Sequence, residues 1–398
     1  MRPLWRMDDA ATVPFMERLR PIVAGLVTAL VGFASSFTVV LAGLRAAGAD
    51  ERQAASGLLA LCVAVGVTAI FLGVRQRMPI SVAWSTPGAA LLMTTPHADF
   101  RTAVGAFVVC GALIMVAGLF PPLARLIEAI PQPIAGAMLA GVLLKLCLAP
   151  VVAMTQIPLM AAPVILVWLL LYRFARLWAV PGALVAAIVA IALSSPGLGG
   201  IDPAPPVEFT APAWDLSAIA GIALPLFLVT MASQNVPGMA VLAGYGYRPR
   251  LREVLLTTGA ASSAGALFGG HAINLAAITA ALAASPEAAE EPERRWVASV
   301  TAGAVMIVLG LTSGLAVALV VLAPPVLIEA VAGLALLGAM SNALLQVREV
   351  AAAITFVVTF SDVSYLGVGS AFWGLVAGGL VHLLMRPSLR STRATEST

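Results

Sequence analysis

The sequence predicts an all-α polytopic membrane protein with 14 spans in two inverted seven-span repeats, and with short strands and half-helices in spans 3 and 10. Three observations support this fold class: the composition, the distribution of basic residues and a motif echo between the two halves. Of the 398 residues, 61% are hydrophobic and 10% are charged, against about 25% charged residues in soluble domains. The mean hydropathy is +1.01. This composition indicates that most of the chain lies in a bilayer.

Apolar segments separated by short polar loops fill most of the chain. Several are shorter than the roughly 20 residues that a straight transmembrane helix needs. We therefore expect extended backbone inside some of them, which is tolerated only where it is buried in protein or lines a cavity. The predicted spans lie at about residues 21–44, 54–74, 79–95, 102–119, 130–148, 158–172, 179–195, 216–242, 254–268, 269–285, 296–322, 326–345, 351–366 and 368–385.

Basic residues concentrate in alternate loops. If the N-terminus is cytoplasmic, all of the 22 Lys and Arg fall in cytoplasmic segments except Arg45, Arg52, Arg101 and Lys145. Such an excess marks the inner face of a membrane protein. We therefore expect a bacterial-type inner membrane location with both termini cytoplasmic. Because the charges are spread over many loops, they favour the lipid bilayer as partner and argue against nucleic acid.

Short motifs recur between the two halves. PPLARLIEAI at 121–130 is echoed by PPVLIEAV at 324–331, and FASSFTVVLAGL at 33–44 by MASQNVPGMAVLAGY at 231–245. Each pair belongs to spans seven apart, and because seven is odd the second copy runs through the membrane upside down. This arrangement is typical of secondary transporters, whose sites lie at the repeat interface. The predicted repeats are residues 21–195 and 216–385.

Spans 3 and 10 contain matching interruptions. PISVAWSTPGAALL at 79–92 and GHAINLAAITAAL at 270–282 each predict a few extended residues followed by a half-helix that begins at mid-membrane. Proline suits the first turn of a helix, and Ser, Thr and Asn suit its N-cap. The predicted first-turn proline is Pro87, and the predicted caps are Ser85 or Thr86 and, in the second half-helix, Asn274.

Two half-helices that begin at mid-membrane predict an anion site. Their unpaired N–H groups and positive dipole ends, converging on one point, attract a negative charge without a buried Arg or Lys. The alternative for each segment is a proline kink with a polar residue that is satisfied inside the bundle. Gln234 and Asn235 lie in the otherwise apolar span 8, before an expected break at Pro237. The alternative roles for these two side chains are substrate binding and hydrogen bonding between helices.

The segments MPISVAWSTPGAAL, TMASQNVPGM and GGHAINLAAITAAL resemble the benzoate/proton symporter (BenE) family over nearly the whole chain. Through that family the chain is similar to the wider uracil, nucleobase and anion transporter fold. The resemblance implies a core domain, residues 21–119 plus 216–322, that moves against a gate domain, residues 120–195 plus 324–385. It also implies an elevator-like mechanism and a homodimer.

One departure from the nucleobase relatives favours a monoanionic substrate. Those relatives carry acidic residues on spans 8 and 10, where this chain has Gln234, Asn235 and Asn274. A carboxylate would repel an aromatic acid in a site of low dielectric, whereas amides would not. Phe37 and Trp84 are candidates for an apolar wall against the ring, with ordinary packing or an interface anchor as the alternative for each. The candidate substrate-binding residues are Ser85, Thr86, Pro87, Gly88, Gln234, Asn235, Asn274, Phe37 and Trp84.

The sequence leaves the proton carrier open. His271 lies at the start of the predicted strand of span 10, and a histidine has a reference pKa of about 6.5; the alternative is a hydrogen-bonded structural histidine. Asp362 lies in span 13 without an obvious local partner, and intramembrane acids are often functional. Glu329 and Glu128 belong to the repeated LIEA motif near helix starts, where a structural role is also expected. A fourth alternative is that the acid itself binds in protonated form.

The leading hypothesis is proton-coupled uptake of benzoate or a related aromatic monocarboxylate by alternating access. The alternatives are a nucleobase or other small-anion transporter on the same fold and a passive channel. An enzyme is not expected, because the chain has no HExxH or GxSxG motif and only three His. For the same reason we expect no metal and no cofactor.

Overall fold

The computed structural model describes residues 15–94, 99–120, 122, 131–194, 205–276, 278–361, 363, 365 and 370–385. The described residues are mostly helical. The helices are α1 (Phe15–Ala34), α2 (Phe37–Ala46), α3 (Glu51–Gln76), α4 (Thr86–Leu92), α5 (Phe100–Leu119), α6 (Gln132–Cys147), α7 (Ala149–Gln156), α8 (Pro158–Phe174), α9 (Ala179–Ser194), α10 (Leu216–Gly244), α11 (Leu251–Ala266), α12 (Ile278–Ala284), α13 (Trp296–Gly310), α14 (Ser313–Leu322), α15 (Pro325–Leu344), α16 (Val350–Phe360) and α17 (Ser370–Met385).

Within the described residues, six helical segments are long and apolar enough to cross a membrane. Four further helices are apolar but shorter, namely α8, α9, α16 and α17. Their outer faces carry large exposed apolar side chains, such as Leu159 at 91% and Leu193 at 84% exposure, a pattern typical of contact with lipid and not with water. The six segments are Leu19–Ala46, Glu51–Gln76, Phe100–Leu119, Gln132–Gln156, Leu216–Gly244 and Pro325–Leu344. The exact number of crossings and the inverted repeat stay predictions.

Spans 3 and 10 each contain a strand followed by a half-helix, as the sequence predicts. Strand β1 (Val82–Trp84) precedes α4, and strand β2 (Ile273–Leu275) precedes α12. The two strands pair antiparallel, with Ala83 opposite Asn274. Ser85 caps α4, because its Oγ accepts from the Gly88 N–H at 3.2 Å. The β1–β2 ladder therefore joins the two halves of the chain at the interruptions in predicted spans 3 and 10.

The prediction that Asn274 caps the second half-helix is wrong. Asn274 lies in the middle of β2, four residues before α12 begins at Ile278. Its side-chain amide is fully buried. In the orientation that satisfies both amide atoms, it accepts from the Ser85 N–H at 3.2 Å and donates to the Leu275 carbonyl at 2.8 Å. Asn274 thus stabilises the antiparallel pair of β1 and β2, which we call the strand crossing.

Side chains from α10 and α11 accept hydrogen bonds from the N–H groups of β2 that point away from β1. The Leu275 N–H donates to Asn235 Oδ1 at 2.9 Å, and the Ile273 N–H donates to Ser262 Oγ at 2.9 Å. An unpaired backbone group costs several kcal/mol where no water is present. These two bonds therefore explain why this short, buried strand is stable.

Helix α10 stays continuous past Pro237, so the predicted break there is wrong. Instead, π-helical turns at Ile219–Ala223 and Met231–Asn235 each end two residues before a proline, Pro225 and Pro237. Proline lacks an N–H and clashes with the carbonyl of the preceding turn in a regular helix. A wider turn relieves that clash without ending the helix.

The helices pack in two groups. In the first, α1 contacts α13, α13 contacts α3, α3 contacts α11 and α11 contacts α5. In the second, α6 contacts α15, α16 and α17, α15 contacts α8 and α9, and α8 contacts α9. Helix α2 packs on both α4 and α15, and close packing on α4 requires Gly43, whose Cα faces the backbone of Ala89. The interrupted spans therefore lie between the two groups.

Candidate substrate-binding site

A cavity of about 500 Å³ lies beside the strand crossing, within the usual range of small-molecule sites, about 300–1,000 Å³. One wall comes from α1, α3, β1 and α13, and the opposite wall from α8, α9 and α15. Thr86 and Pro87 at the start of α4 line it, as do Ala276 and Thr279 at the start of α12. The cavity therefore separates the two helix groups at the level where both half-helices begin.

The two half-helices border this cavity from different ends and do not converge on one point as expected. The Ser85 N–H donates to the Ala272 carbonyl, and the Ala276 N–H donates to the Ser81 carbonyl. The starts of α4 and α12 thus lie at opposite ends of the ladder, roughly 13 Å apart along β1 at 3.3 Å per residue. A single carboxylate is too small to contact both helix ends, so strand residues must supply part of any anion site.

The cavity wall carries no Asp or Glu among the described residues. Its one charged side chain in this set is Arg176. Across the described residues, no group of three or more His, Cys, Asp or Glu side chains is arranged to hold a metal ion. The electrostatics of the wall therefore favour an anion over a cation.

The β1 segment presents hydrogen-bond donors beside the cavity. Ser81 is 4% exposed, and its hydroxyl has no hydrogen-bond partner among the described residues. Because alternate residues of an antiparallel strand direct their N–H groups away from the partner, the ladder leaves the N–H groups of Val82 and Trp84 unused. All three residues line the cavity. Unsatisfied donors in a low-dielectric site are suited to a ligand that accepts hydrogen bonds.

The sequence profile of the benzoate membrane transport protein family, BenE, matches residues 17–384. The chain belongs to this family. It is 36% identical over 374 residues to the inner membrane protein YdcO of Escherichia coli, with 92% of this chain and 95% of that protein covered. It is 32% identical over 382 residues to the benzoate membrane transport protein of Acinetobacter baylyi, with 93% and 96% covered.

Among solved structures, the transmembrane domain of a cyanobacterial bicarbonate transporter, BicA, has a TM-score of 0.57. The match covers 92% of this chain and 98% of that domain at 14% identity. Such low identity shows a shared fold alone. Family and fold together identify this benzoate transport family member as an integral membrane transporter, which is not an enzyme class.

In this BenE family member, the predicted substrate-binding residues divide into two sets. Those that line the cavity are Trp84, Thr86, Pro87 and Gln234. Those that lie behind its wall are Ser85, Gly88, Asn235, Asn274 and Phe37. The second set is buried and contacts protein, so it supports the site from behind.

The buried set holds α4 against α10 and α1. Thr230 on α10 donates its hydroxyl proton to Ser85 Oγ at 2.8 Å. Phe37 stacks on Phe33 at 5.1 Å between ring centroids, and Phe33 meets the edge of Trp84 at 5.9 Å. The Trp84 indole N–H in turn donates to a serine hydroxyl of the α1–α2 junction at 2.9 Å. These contacts fix the orientation of the one aromatic ring of this cluster that lines the cavity.

None of the described proton-carrier candidates lines the cavity. His271 is buried beside β2, with Nδ1 3.1 Å from the Ala272 carbonyl oxygen and its ring against Phe107. Its Nε2 has no partner among the described residues. Glu329 is exposed near the start of α15. Glu128 and Asp362 lie outside the described residues.

Sequence reasoning missed Ser81, Tyr172, Arg176 and Asn342, which all line the cavity. Ser81 stands in the quoted PISVAW segment, where the extended backbone gives each residue a direction. Tyr172 lies near the end of α8, and Arg176 lies in the 3₁₀ turn that follows this helix. Nothing in the local sequence shows that these two residues meet the cavity.

We expect Asn235→Ala to destabilise the protein, because it leaves the buried Leu275 N–H without an acceptor. Such a loss costs about 1–3 kcal/mol. Thermal denaturation of the detergent-solubilised variant should show a midpoint several degrees below that of the original protein. Gln156→Ala, which removes an exposed amide at the end of α7, is the matched control and should leave the midpoint unchanged. Equal midpoints for both variants would contradict the role given to Asn235.

Proposed function

We propose that this protein takes up benzoate or a related aromatic monocarboxylate together with a proton by alternating access. The observation that carries the proposal is the cavity at the strand crossing, which has unused hydrogen-bond donors and no acidic side chain among its described residues. Membership of the benzoate membrane transport family supports the substrate class. The name of the Acinetobacter baylyi relative supports the same class.

In the proposed complex, the carboxylate lies against β1 at Ser81. Ser81 supplies a hydroxyl and Gln234 an amide to the carboxylate, and Trp84, further along β1, supplies a ring for the aromatic face. Donors fixed by the fold stabilise a carboxylate at little cost in reorganisation.

Proton coupling follows from the charge of the substrate. A benzoate anion that crosses alone against the membrane potential costs about 2.3 kcal/mol per 100 mV, and a proton that accompanies it removes that cost. We propose His271 as the proton carrier, because its free Nε2 lies beside the strand that forms the crossing. Direct binding of the protonated acid is the alternative, and it predicts that His271→Gln retains gradient-driven uptake.

The proposed motion is elevator-like. Residues 21–119 plus 216–322 form the moving core, and residues 120–195 plus 324–385 form the gate. The separate packing of the two helix groups supports this division. The cavity is lined by the halves of α3, α8, α13 and α15 that end near the loops predicted to be cytoplasmic. We therefore propose an inward-facing state of an inner membrane homodimer with cytoplasmic termini.

Reconstituted protein should accumulate labelled benzoate in liposomes when a proton gradient is directed inward. Dissipating the gradient with a protonophore should abolish accumulation while leaving exchange of preloaded benzoate intact. Liposomes without protein provide the control for passive entry of the neutral acid. Competition by uracil or bicarbonate but not by benzoate would assign another substrate, and loss of counterflow would indicate a channel.

A further inference from the structure

Three side chains form a continuous stack on the gate side of the cavity. Trp168 and Tyr172 lie one turn apart on α8, with ring centroids 4.8 Å apart and planes 23° from parallel. Arg176 follows in the 3₁₀ turn after α8, with its Cζ 4.7 Å from the centre of the Tyr172 ring. All three residues line the cavity. They face the strand crossing from the opposite wall.

The stack leaves Arg176 able to bind an anion. A guanidinium that lies over an aromatic ring uses its face, while its N–H donors point outward from its edge. Among the described residues, no carboxylate forms a salt bridge with Arg176. Its side chain is exposed, as is Asn342 on the α15 wall. The cavity therefore opens to the surface beside an unpaired positive charge.

An aromatic carboxylate matches both parts of this stack. Its carboxylate fits the fork of N–H donors in a guanidinium, and its ring is suited to stacking on an exposed aromatic side chain. Tyr172 is 39% exposed, so part of its ring remains accessible. A basic group at a cavity mouth also raises the local concentration of anions and speeds their entry.

We propose that Tyr172 and Arg176 form a second, peripheral subsite that binds the aromatic carboxylate at the cavity mouth, between the strand crossing and the predicted cytoplasmic face. This inference rests on the proposed function and adds a binding position on the gate side. Arg173, one turn earlier in the same basic segment, serves as a natural comparison, because it lies over Phe174 at 5.4 Å and does not line the cavity.

The test measures benzoate transport kinetics in liposomes for the original protein and for Arg176→Gln, Arg176→Lys and Arg173→Gln, with entry from the side that carries Arg176. We expect Arg176→Gln to raise KM about tenfold, as for loss of one charge contact near a surface, with kcat changed less than about twofold. Arg176→Lys should retain most of the affinity, and Arg173→Gln should match the original protein. The KM of the original protein should rise with ionic strength, whereas that of Arg176→Gln should change little.

The outcomes separate this inference from the proposed function. If the original protein does not transport benzoate, the proposed function fails. If it does, and Arg176→Gln has the same KM and salt dependence as Arg173→Gln, the subsite is refuted. Should Arg176→Gln not fold, Tyr172→Leu carries the test: the subsite requires a KM increase of about threefold or more, and an unchanged KM overturns it.

Discussion

Replacing Gln234 with Glu is expected to raise the KM for benzoate roughly a hundredfold. The substitution changes little in shape but places a carboxylate on a cavity wall that has no acidic side chain among its described residues. Two negative charges about 5 Å apart repel by about 3 kcal/mol at an effective dielectric constant of 20. Initial rates of labelled benzoate uptake into liposomes at several concentrations measure the effect.

Acidification should partly reverse this defect. Protonation neutralises the introduced carboxyl, so the uptake of the variant relative to the original protein should increase as the pH falls. Gln346→Glu adds the same charge at an exposed position that does not line the cavity, and its KM should stay within about twofold of the original. A Gln234→Glu variant with normal KM at neutral pH would show that the carboxylate binds elsewhere.

The second large effect is expected from Gly43→Ala. A Cβ on Gly43 overlaps with the carbonyl oxygen of Ala89 and lies 3.0 Å from its carbonyl carbon. Because this neighbour is backbone of α4, the overlap is relieved only by moving the half-helix. Overpacking of this kind costs about 1–3 kcal/mol. The thermal midpoint of the detergent-solubilised protein should fall by several degrees, and benzoate uptake should fall at least tenfold.

Gly379→Ala provides the control for this experiment. Gly379 lies in α17, and a Cβ there meets nothing within 4 Å. The control variant should keep its midpoint within about one degree and its uptake within about twofold. If Gly43→Ala behaves in the same way, the position of α4 does not depend on close approach of α2, and the packing argument is wrong.

The helices and the two interrupted spans were predictable because their signals are local. Apolar runs identify membrane helices, and a serine cap followed by proline marks the start of α4. The strand in span 10 was also predicted. Asn274 was assigned to the wrong role because a capping side chain and a strand side chain look alike in sequence, and only the pairing with Ala83 distinguishes them.

The cavity wall was less predictable because it depends on contacts between distant segments. The interrupted spans drew attention to residues near Ser85, and several of these lie behind the wall. Tyr172 lies on α8 and Arg176 in the 3₁₀ turn after it, a segment that has no unusual local signal, and both reach the cavity only because this segment faces the strand crossing. Likewise, the π-helical turn before Pro237 reflects the backbone geometry of α10 and not a break in its course.

The β1–β2 ladder also has a consequence for biosynthesis. β1 is synthesised about 190 residues before Leu275, the β2 residue that pairs with Val82. It therefore enters the bilayer before β2 is available for hydrogen bonding. Such groups are costly in hydrocarbon, and the nascent first half therefore requires a temporary sheltering environment during translation.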